Sequence, residues 1–379
     1  SAIRGFSFSC ILLDEFAHVQ RHIADEFIRS VYPTISSGKE TKVIIVSTPN
    51  GFNMFYKYWN DAVSGTNDFK PFKVHWSNVP NRDQGWRKKI ESTIGEDAFR
   101  QEYEAEFLGS SNTLISYEKL QELSYSNPIH RKHDVDVFND VIPSHSYVMT
   151  VDVARGQGSD YSAFTVFDIT ELPYKAVAKY RSNLIAPLVF PNIINIIGKK
   201  YNDAYILIEV NDIGSQVSDV LHHDLEYENL FSTAWYGRHG QQLSGFVGGR
   251  RDSQFGVRTT KSMKKIGCSN LKALIEDDKL LIPDYDVISE LSTFVSGGDT
   301  FAAEEGANDD LVMTLVLFAW LVDQQYFKEL SNQNIRSNLY KNKLSEIEDL
   351  TTPFGIINNG INQEEYERDV EGTIWTNAK

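Results

Sequence analysis

Carboxylates recur in this chain at places where an unpaired charge is costly. Asp152 lies within TVDVARGQGSD and Glu209 within AYILIEVND, both in apolar, strand-like surroundings, and Asp309-Asp310 immediately precede the apolar run LVMTLVLFAWLV. A carboxylate so placed needs a cation or hydrogen-bonding partners. Arg155 is the one cation close to Asp152 in sequence. Hard oxygen donors without clustered His or Cys favour Mg2+ or Mn2+ over zinc. Two such ions about 3.5–4 Å apart can activate a water and stabilise a leaving oxygen, so hydrolysis is the chemistry these residue types allow. Asp160, beyond the Gly156-Gln157-Gly158 turn, is a candidate auxiliary ligand. Structural roles compete at each position: Asp309 suits a helix N-cap, Asp310 the first helical turn, and Asp160 a turn.

The elements that must carry these residues follow from periodicity. Residues 10–14 (CILLD) and 42–48 (KVIIVST) read as two buried parallel strands of an α/β unit,. Between them, residues 26–35 read as a helix broken at Pro33,. Phe52, Phe55, Tyr56 and Trp59 recur at helical spacing and form a core face, and residues 87–107 read as helical,. The polar stretch 109–145 reads as a linker,. From Tyr147 onward three strands in meander order (147–154, 163–169, 176–180), a helix (191–200) and a buried strand (204–210) give a further α/β plan,. Residues 232–258, rich in Gly and Arg, read as an extended flexible hairpin or loop. A helix (260–277), a short strand (280–283) and a long helix from Asp309 follow, and the chain beyond about Gln325 is a charged, Asn-rich peripheral tail,.

A chain of 379 residues with 41% hydrophobic content has length for two domains or one with an appendage,. It has no apolar run of about 18 residues or more and no secretory signal at its first residues, so no membrane partner is expected. Cys10 and Cys268, far apart, support neither a disulfide framework nor a zinc site,. The formal charge of -15 argues against non-specific coating of nucleic acid but leaves room for a local basic groove,. Candidates for such a groove are Arg155, Arg250, Arg251, Arg258, Lys261, Lys264 and Lys265, densest over 250–265, with Lys199, Lys200 and Arg238 as lesser candidates.

Taken together, the stretches ILLDEFAHV, PTISSGKETKVIIVSTPNGFNMFY, FRQEYEAEFLGSSNTLIS, TVDVARGQGSDYSA, ILIEVND and EEGANDDLVMTL resemble the large terminase subunit of tailed bacteriophages, of the T-even-like myophage type. The resemblance covers nearly the whole chain. It implies an RNase H-like nuclease domain, a mixed central sheet flanked by helices, over 146–330. Ahead of it would lie a partial P-loop-type ATPase α/β region over 1–108, with 109–145 as linker and 331–379 as tail. It further implies that Asp152, Glu209 and Asp310 are catalytic metal ligands for Mg2+ or Mn2+, with Asp160 accessory, and it favours Asp310 over Asp309. Asp14 matches the aspartate that holds Mg2+ through water in the motor, Glu15 the carboxylate that activates water for ATP hydrolysis, and Val46-Ser47-Thr48 the coupling motif. The implied substrate is concatemeric double-stranded DNA. The implied partners are the portal protein and the small terminase subunit, in the host cytoplasm during phage assembly. Competing readings are another RNase H-like nuclease of resolvase or transposase type, and a non-enzymatic packaging module.

No G-x-x-x-x-G-K-[ST] occurs in the chain, so ATP would belong to a longer parent polypeptide of which this is a fragment,. The chain alone is expected to show no ATP turnover in a phosphate-release assay; robust turnover would overturn that reading.

Overall fold

Alternation within the run YVMTVD sets the architecture of the larger part of the chain. In a computed structural model, which describes residues 9–36, 41–108, 112–156, 160–237, 240–244, 253–298, 300–329, 367–368 and 374–375, this run is a strand whose successive side chains enter different cores. Tyr147, Met149 and Val151 belong to one apolar cluster and Val148 to the other, as the two-residue period of a strand requires. Residues 1–332 form one compact unit and 333–379 a second.

The first unit begins with β1 (Cys10–Asp14), α1 (Arg21–Ser36), β2 (Lys42–Val46) and α2 (Met54–Val63). β1 and β2 pair in parallel, as expected. They are not buried as expected: Leu12 is 61% exposed and Ile44 and Val46 are each 48% exposed, because the two-stranded sheet has a face that no described element covers. Nor does Pro33 break α1, whose helical span runs on to Ser36. α2 opens on Asn53, whose side chain caps the amides of Phe55 and Tyr56, and its aromatic face packs on Phe107, with Tyr56 5.0 Å and Phe55 5.9 Å between ring centroids. α3 (Gln84–Ile94) and α4 (Glu96–Tyr103) close a second aromatic group of Trp76, Trp86, Phe99 and Tyr103.

The stretch taken for a linker is structured where it is described. It carries α5 (Tyr117–Glu122) and the strands β3 (His130–Lys132) and β4 (Val135–Val137). Their sequence is too polar to announce strands, yet Val135 and Val137 are buried and β4 pairs with the large sheet at β7. That sheet continues through β5 (Tyr147–Asp152), β6 (Ser162–Asp168), β7 (Tyr174–Ser182) and, after α6 (Phe190–Lys200), β8 (Tyr205–Ile208). α7 (Gly214–Asp219) follows. β9 (Ser232–Trp235), β10 (Gln241–Ser244) and β11 (Gln254–Phe255) make a small sheet in the order β10-β9-β11 where a hairpin was expected. α8 (Lys261–Glu276), β12 (Leu280–Leu281), α9 (Tyr285–Leu291), the β13 (Phe294–Ser296) and β14 (Phe301–Ala303) ribbon, and α10 (Asp310–Asp323) complete the unit. In the second unit β15 (Glu367–Arg368) pairs with β16 (Ile374–Trp375).

The large sheet has the order β3-β4-β7-β6-β5-β8, with β12 beside β7. It is mixed: β5, β6 and β7 form an antiparallel meander, whereas β8 joins β5 in parallel. One face packs on α6 through Phe164, Tyr180 and Phe190, and the other receives α10. α10 is apolar all round and buried from Leu311 to Leu321, as a helix enclosed on every side must be. It lies between the sheet and α8, with Phe318 stacked on Phe167 at 3.9 Å. Among the described residues no helix is long and apolar enough to cross a membrane. Cys10 and Cys268 are both free.

Gly214 begins α7 directly under the strand end at Glu209, and a Cβ there would collide with the Glu209 carbonyl oxygen. Gly214→Ala is therefore expected to lower stability by about 1–3 kcal/mol in urea unfolding, whereas substitution at exposed Gly65, a left-handed position with open space around it, should cost less.

Candidate active site

Strand pairing brings Asp152 and Glu209 together. Asp152 is the last residue of β5, on the same face as Val148 and Thr150; Glu209 follows β8 on the face of Leu207. Because Val151 pairs with Ile208 in parallel, the next residues along both strands come side by side, facing α10. The Glu209 amide donates to the Val151 carbonyl at 2.9 Å, and Glu209 bridges Val257 on its other side. The two carboxyl groups lie within hydrogen-bonding reach of each other, a closeness that favours the protonated form of Asp152,.

The third carboxylate arrives on α10, and a buried hydroxyl network fixes where. Thr314 Oγ1 donates to the Leu311 carbonyl at 2.7 Å and meets Thr165 Oγ1 at 2.7 Å, while Thr150 Oγ1 donates to the Thr314 carbonyl at 2.8 Å. Thr314 sits one turn after Asp310, and Thr150 two residues before Asp152. Sheet and helix are thus pinned beside both acids. The end of the helix is held by Glu290 of α9, whose Oε2 accepts from the amides of Leu311 (2.9 Å) and Val312 (3.3 Å). Asp309 occupies the N-cap position but makes no side-chain cap; it pairs with Lys264 at 3.4 Å.

Asp310 Oδ1 accepts from the Tyr161 amide at 3.2 Å. Arg181 of β7 reaches Glu290 at 3.0 Å and Asp310 at 4.0 Å, with its guanidinium 3.9 Å from the Tyr161 ring centroid. Burial pushes the Asp152 carboxyl well above the usual range, and the charge and hydrogen bond of Glu209 push the same way, followed by Asp310 and Asp309. Asp310 is pushed up to about 6 by burial; Arg181 and the Tyr161 amide oppose this, while Asp309 and Asp160 add to it. Asp160, exposed, is therefore close enough to influence Asp310. Among the described residues, no group of three or more His, Cys, Asp or Glu side chains is arranged to hold a metal ion as it stands.

The surroundings nonetheless fit a hard cation. Asn211 Nδ2 donates to Glu209 Oε1 and to the Thr259 carbonyl, both at 3.0 Å. This leaves Asn211 Oδ1 and Thr259 Oγ1 buried with no hydrogen-bond partner. Buried oxygens without partners beside crowded carboxyls are the donor set an oxygen-seeking divalent ion satisfies.

Two family models match in the chain's own order. "Terminase large subunit, T4likevirus-type, N-terminal" matches residues 1–122, and "Terminase RNaseH-like domain" matches residues 149–319. The chain belongs to the terminase large-subunit family. The terminase large subunits of Thermus phage G20c and Thermus virus P23-45 are each 26% identical, over 83% of this chain and 62% of theirs, so the chain spans less than two thirds of the length of these relatives. The large terminase nuclease of thermophilic phage G20c, solved with bound magnesium, aligns with 56% of this chain and 97% of its own, at 21% identity and a TM-score of 0.42. The large terminase nuclease domain of Thermus phage P74-26 aligns with 56% of this chain and 95% of its own, at 22% identity and a TM-score of 0.41.

In this terminase chain the other expected residues disperse. Arg155 does not compensate Asp152; it forms an exposed bidentate pair with Asp212, at 2.6 and 2.7 Å. Lys264 is engaged by Asp309, while Arg258, Lys261 and Lys265 are exposed near the end of the small sheet and the start of α8. Arg250, Arg251 and Arg238 lie outside the described residues. At the other end of the unit, Glu15 adopts a left-handed conformation just after β1, Ser47 Oγ donates to its carboxylate at 3.4 Å, and Thr48 meets His18 at 3.1 Å. Asp14, Glu15, Ser47 and Thr48 thus sit together at the carboxyl ends of two parallel strands. Sequence reasoning missed Arg181, Glu290 and Asn211; for Asn211 the signal was its place two residues beyond Glu209, but nothing in the polar flanks of β7 or in α9 marked the other two.

For a group raised by folding, the stabilising contribution is complete below its ordinary value and is lost as pH climbs through the folded value. Without divalent ions, Asp310→Asn should match the parent near pH 4 and gain stability from pH 4 to 7, approaching about 2 kcal/mol. Urea unfolding at pH 4, 6 and 8 checks both the sign and the window.

Proposed function

We propose that this chain is the nuclease-bearing portion of a viral DNA-packaging terminase, a metal-dependent endonuclease that cuts concatemeric double-stranded DNA. The observation that carries the reading is the convergence of Asp152, Glu209 and Asp310 at the joined ends of β5, β8 and α10 in an RNase H-like terminase domain. Asp152, Glu209 and Asp310 would hold one or two Mg2+ or Mn2+ ions, with Asp160 as an accessory ligand. Bound there, such ions supply a nucleophilic water at neutral pH and neutralise charge on the phosphate oxygens during hydrolysis.

The chain's own groups do the positioning. The Tyr161 amide and Arg181 aim the Asp310 carboxylate, Asn211 orients Glu209, and Glu290 with the Thr150–Thr165–Thr314 network keeps α10 from drifting. Deprotonation of Asp152 must accompany loading of a cation, because ligating carboxylates are ionised,. Arg258, Lys261 and Lys265, with Arg155, Arg250, Arg251 and Lys264, would contact phosphates without reading sequence. Asp14, Glu15, Ser47 and Thr48 are taken as the remnant of an ATP-hydrolysing centre, so translocation and ATP belong to the longer protein. Portal protein and small terminase subunit are the proposed partners, and the host cytoplasm the proposed site of action. The motor-type match over residues 1–122 is what separates this reading from a resolvase or transposase.

Supercoiled plasmid incubated with the chain and Mn2+ should be nicked or linearised. Asp152→Asn, Glu209→Gln and Asp310→Asn should each reduce the rate by at least about a hundredfold while remaining folded by circular dichroism. Parent-like cutting by all three would refute the assignment.

A further inference from the structure

A cavity of about 370 Å3 is walled by Tyr161 and Arg181 together with Arg29 of α1, Lys57 of α2, Lys179 and Tyr285. Two of its wall residues are the same ones that touch Asp310. A group lodged in the cavity is therefore one side chain away from the reacting centre.

Its lining sets five cationic side chains, Arg29, Lys57, Arg131, Lys179 and Arg181, against three acidic ones, Asp134, Asp136 and Asp286. Lys179, buried, is consumed by Asp284 at 2.8 Å, Asp286 at 2.6 Å and Asp136 at 3.5 Å. Arg131 is occupied by Asp136 at 3.3 Å. Arg29 and Lys57 have no ion pair among the described residues; the Lys57 amine lies 5.2 Å from the Tyr285 ring centroid. Arg181 Nη2 lies 3.0 Å from Glu290 Oε1 as an ion pair, and its Nε is buried with no hydrogen-bond partner. A guanidinium edge with an unpaired donor is suited to a phosphate oxygen.

We infer that this cavity is a phosphate-binding subsite, in which Arg181, Lys57 and Arg29 hold a phosphodiester of the substrate strand flanking the one cut at Asp152, Glu209 and Asp310. The inference rests on the nuclease reading above and deepens it. It places the strand's path between α1–α2 and the large sheet, on residues that the basic run at 250–265 does not include. Cations from the N-terminal elements and from the sheet would grip the same backbone, so strand binding would also tie the two regions together.

The test is fluorescence anisotropy of a labelled single-stranded 12-mer with the full chain in Ca2+, across a salt series, for the parent, Arg29→Glu/Lys57→Glu and the remote surface control Lys272→Glu. The double variant is expected to bind at least about tenfold more weakly, with a salt slope shallower by about one, as loss of one or two phosphate contacts requires. Lys272→Glu is expected to behave like the parent. Affinity within twofold of the parent and an unchanged slope in the double variant would overturn the subsite. Unlabelled dAMP competing as well as an unlabelled 12-mer, in a manner lost with Lys57, would also overturn it, since the cavity would then hold a free nucleotide. Because binding is read without cleavage, a parent that binds through Lys57 but never cuts plasmid counts against the nuclease reading alone. A parent that cuts while the double variant binds normally counts against this subsite alone.

Discussion

Parallel pairing of β5 with β8 is the constraint on which the site depends. Beside an antiparallel meander this junction brings the carboxyl ends of two strands to the same edge, and its register sets Asp152 beside Glu209 on the face toward α10. A slip of one residue would turn one acid to the opposite face, into the apolar layer that holds Val151 and Ile208,. The register is fixed from both sides: the Glu209 amide closes on Val151, and Gly256 packs against the Ile208 carbonyl in a left-handed conformation where a Cβ would collide.

Two carboxyls brought so close in partial burial repel once ionised, which raises Asp152 toward its protonated form, and the fold restrains everything nearby. The restraints are polar and buried: threonine hydroxyls crossing from the sheet to α10, and Glu290 capping that helix from another element while gripping Arg181. Buried polar groups of this kind are costly unless satisfied, and once satisfied they specify one arrangement. They hold Asp310 about a fixed point while leaving its charge state to the site's occupancy.

Much of this was legible in the sequence, for definite reasons. The strands of the meander, α6, α8 and α10 announced themselves through continuous apolar runs, and Asp152 and Glu209 stood out because a carboxylate inside such a run has no bland explanation. Short polar strands such as β3 and β4 gave no such signal, since their stability comes from pairing with β7 and not from their own composition. Arg155 looked like the compensating cation because it is near Asp152 in sequence; in space it is taken by Asp212, and the cation at the site is Arg181, from a strand two places along the sheet, which lies beside Asp310 and Glu290. Contacts between distant elements have no sequence period to betray them. The exposure of β1 and β2 was equally hidden, because apolar runs read the same whether or not a neighbour covers them.

The N-terminal elements keep a grouping of Glu15, Ser47 and Thr48 at strand ends, and they share a wall of the Arg181 cavity with the large sheet, so the two regions are joined beside the acids. Whether those acids form a metal centre is tested most directly by anomalous diffraction from crystals of the chain soaked in MnCl2. The account predicts one or two manganese peaks bounded by the carboxylates of Asp152, Glu209 and Asp310, with Asp152 and Glu209 turned from each other toward the ion. Manganese bound elsewhere on the protein, with Asp152 and Glu209 still hydrogen-bonded to each other, would contradict it.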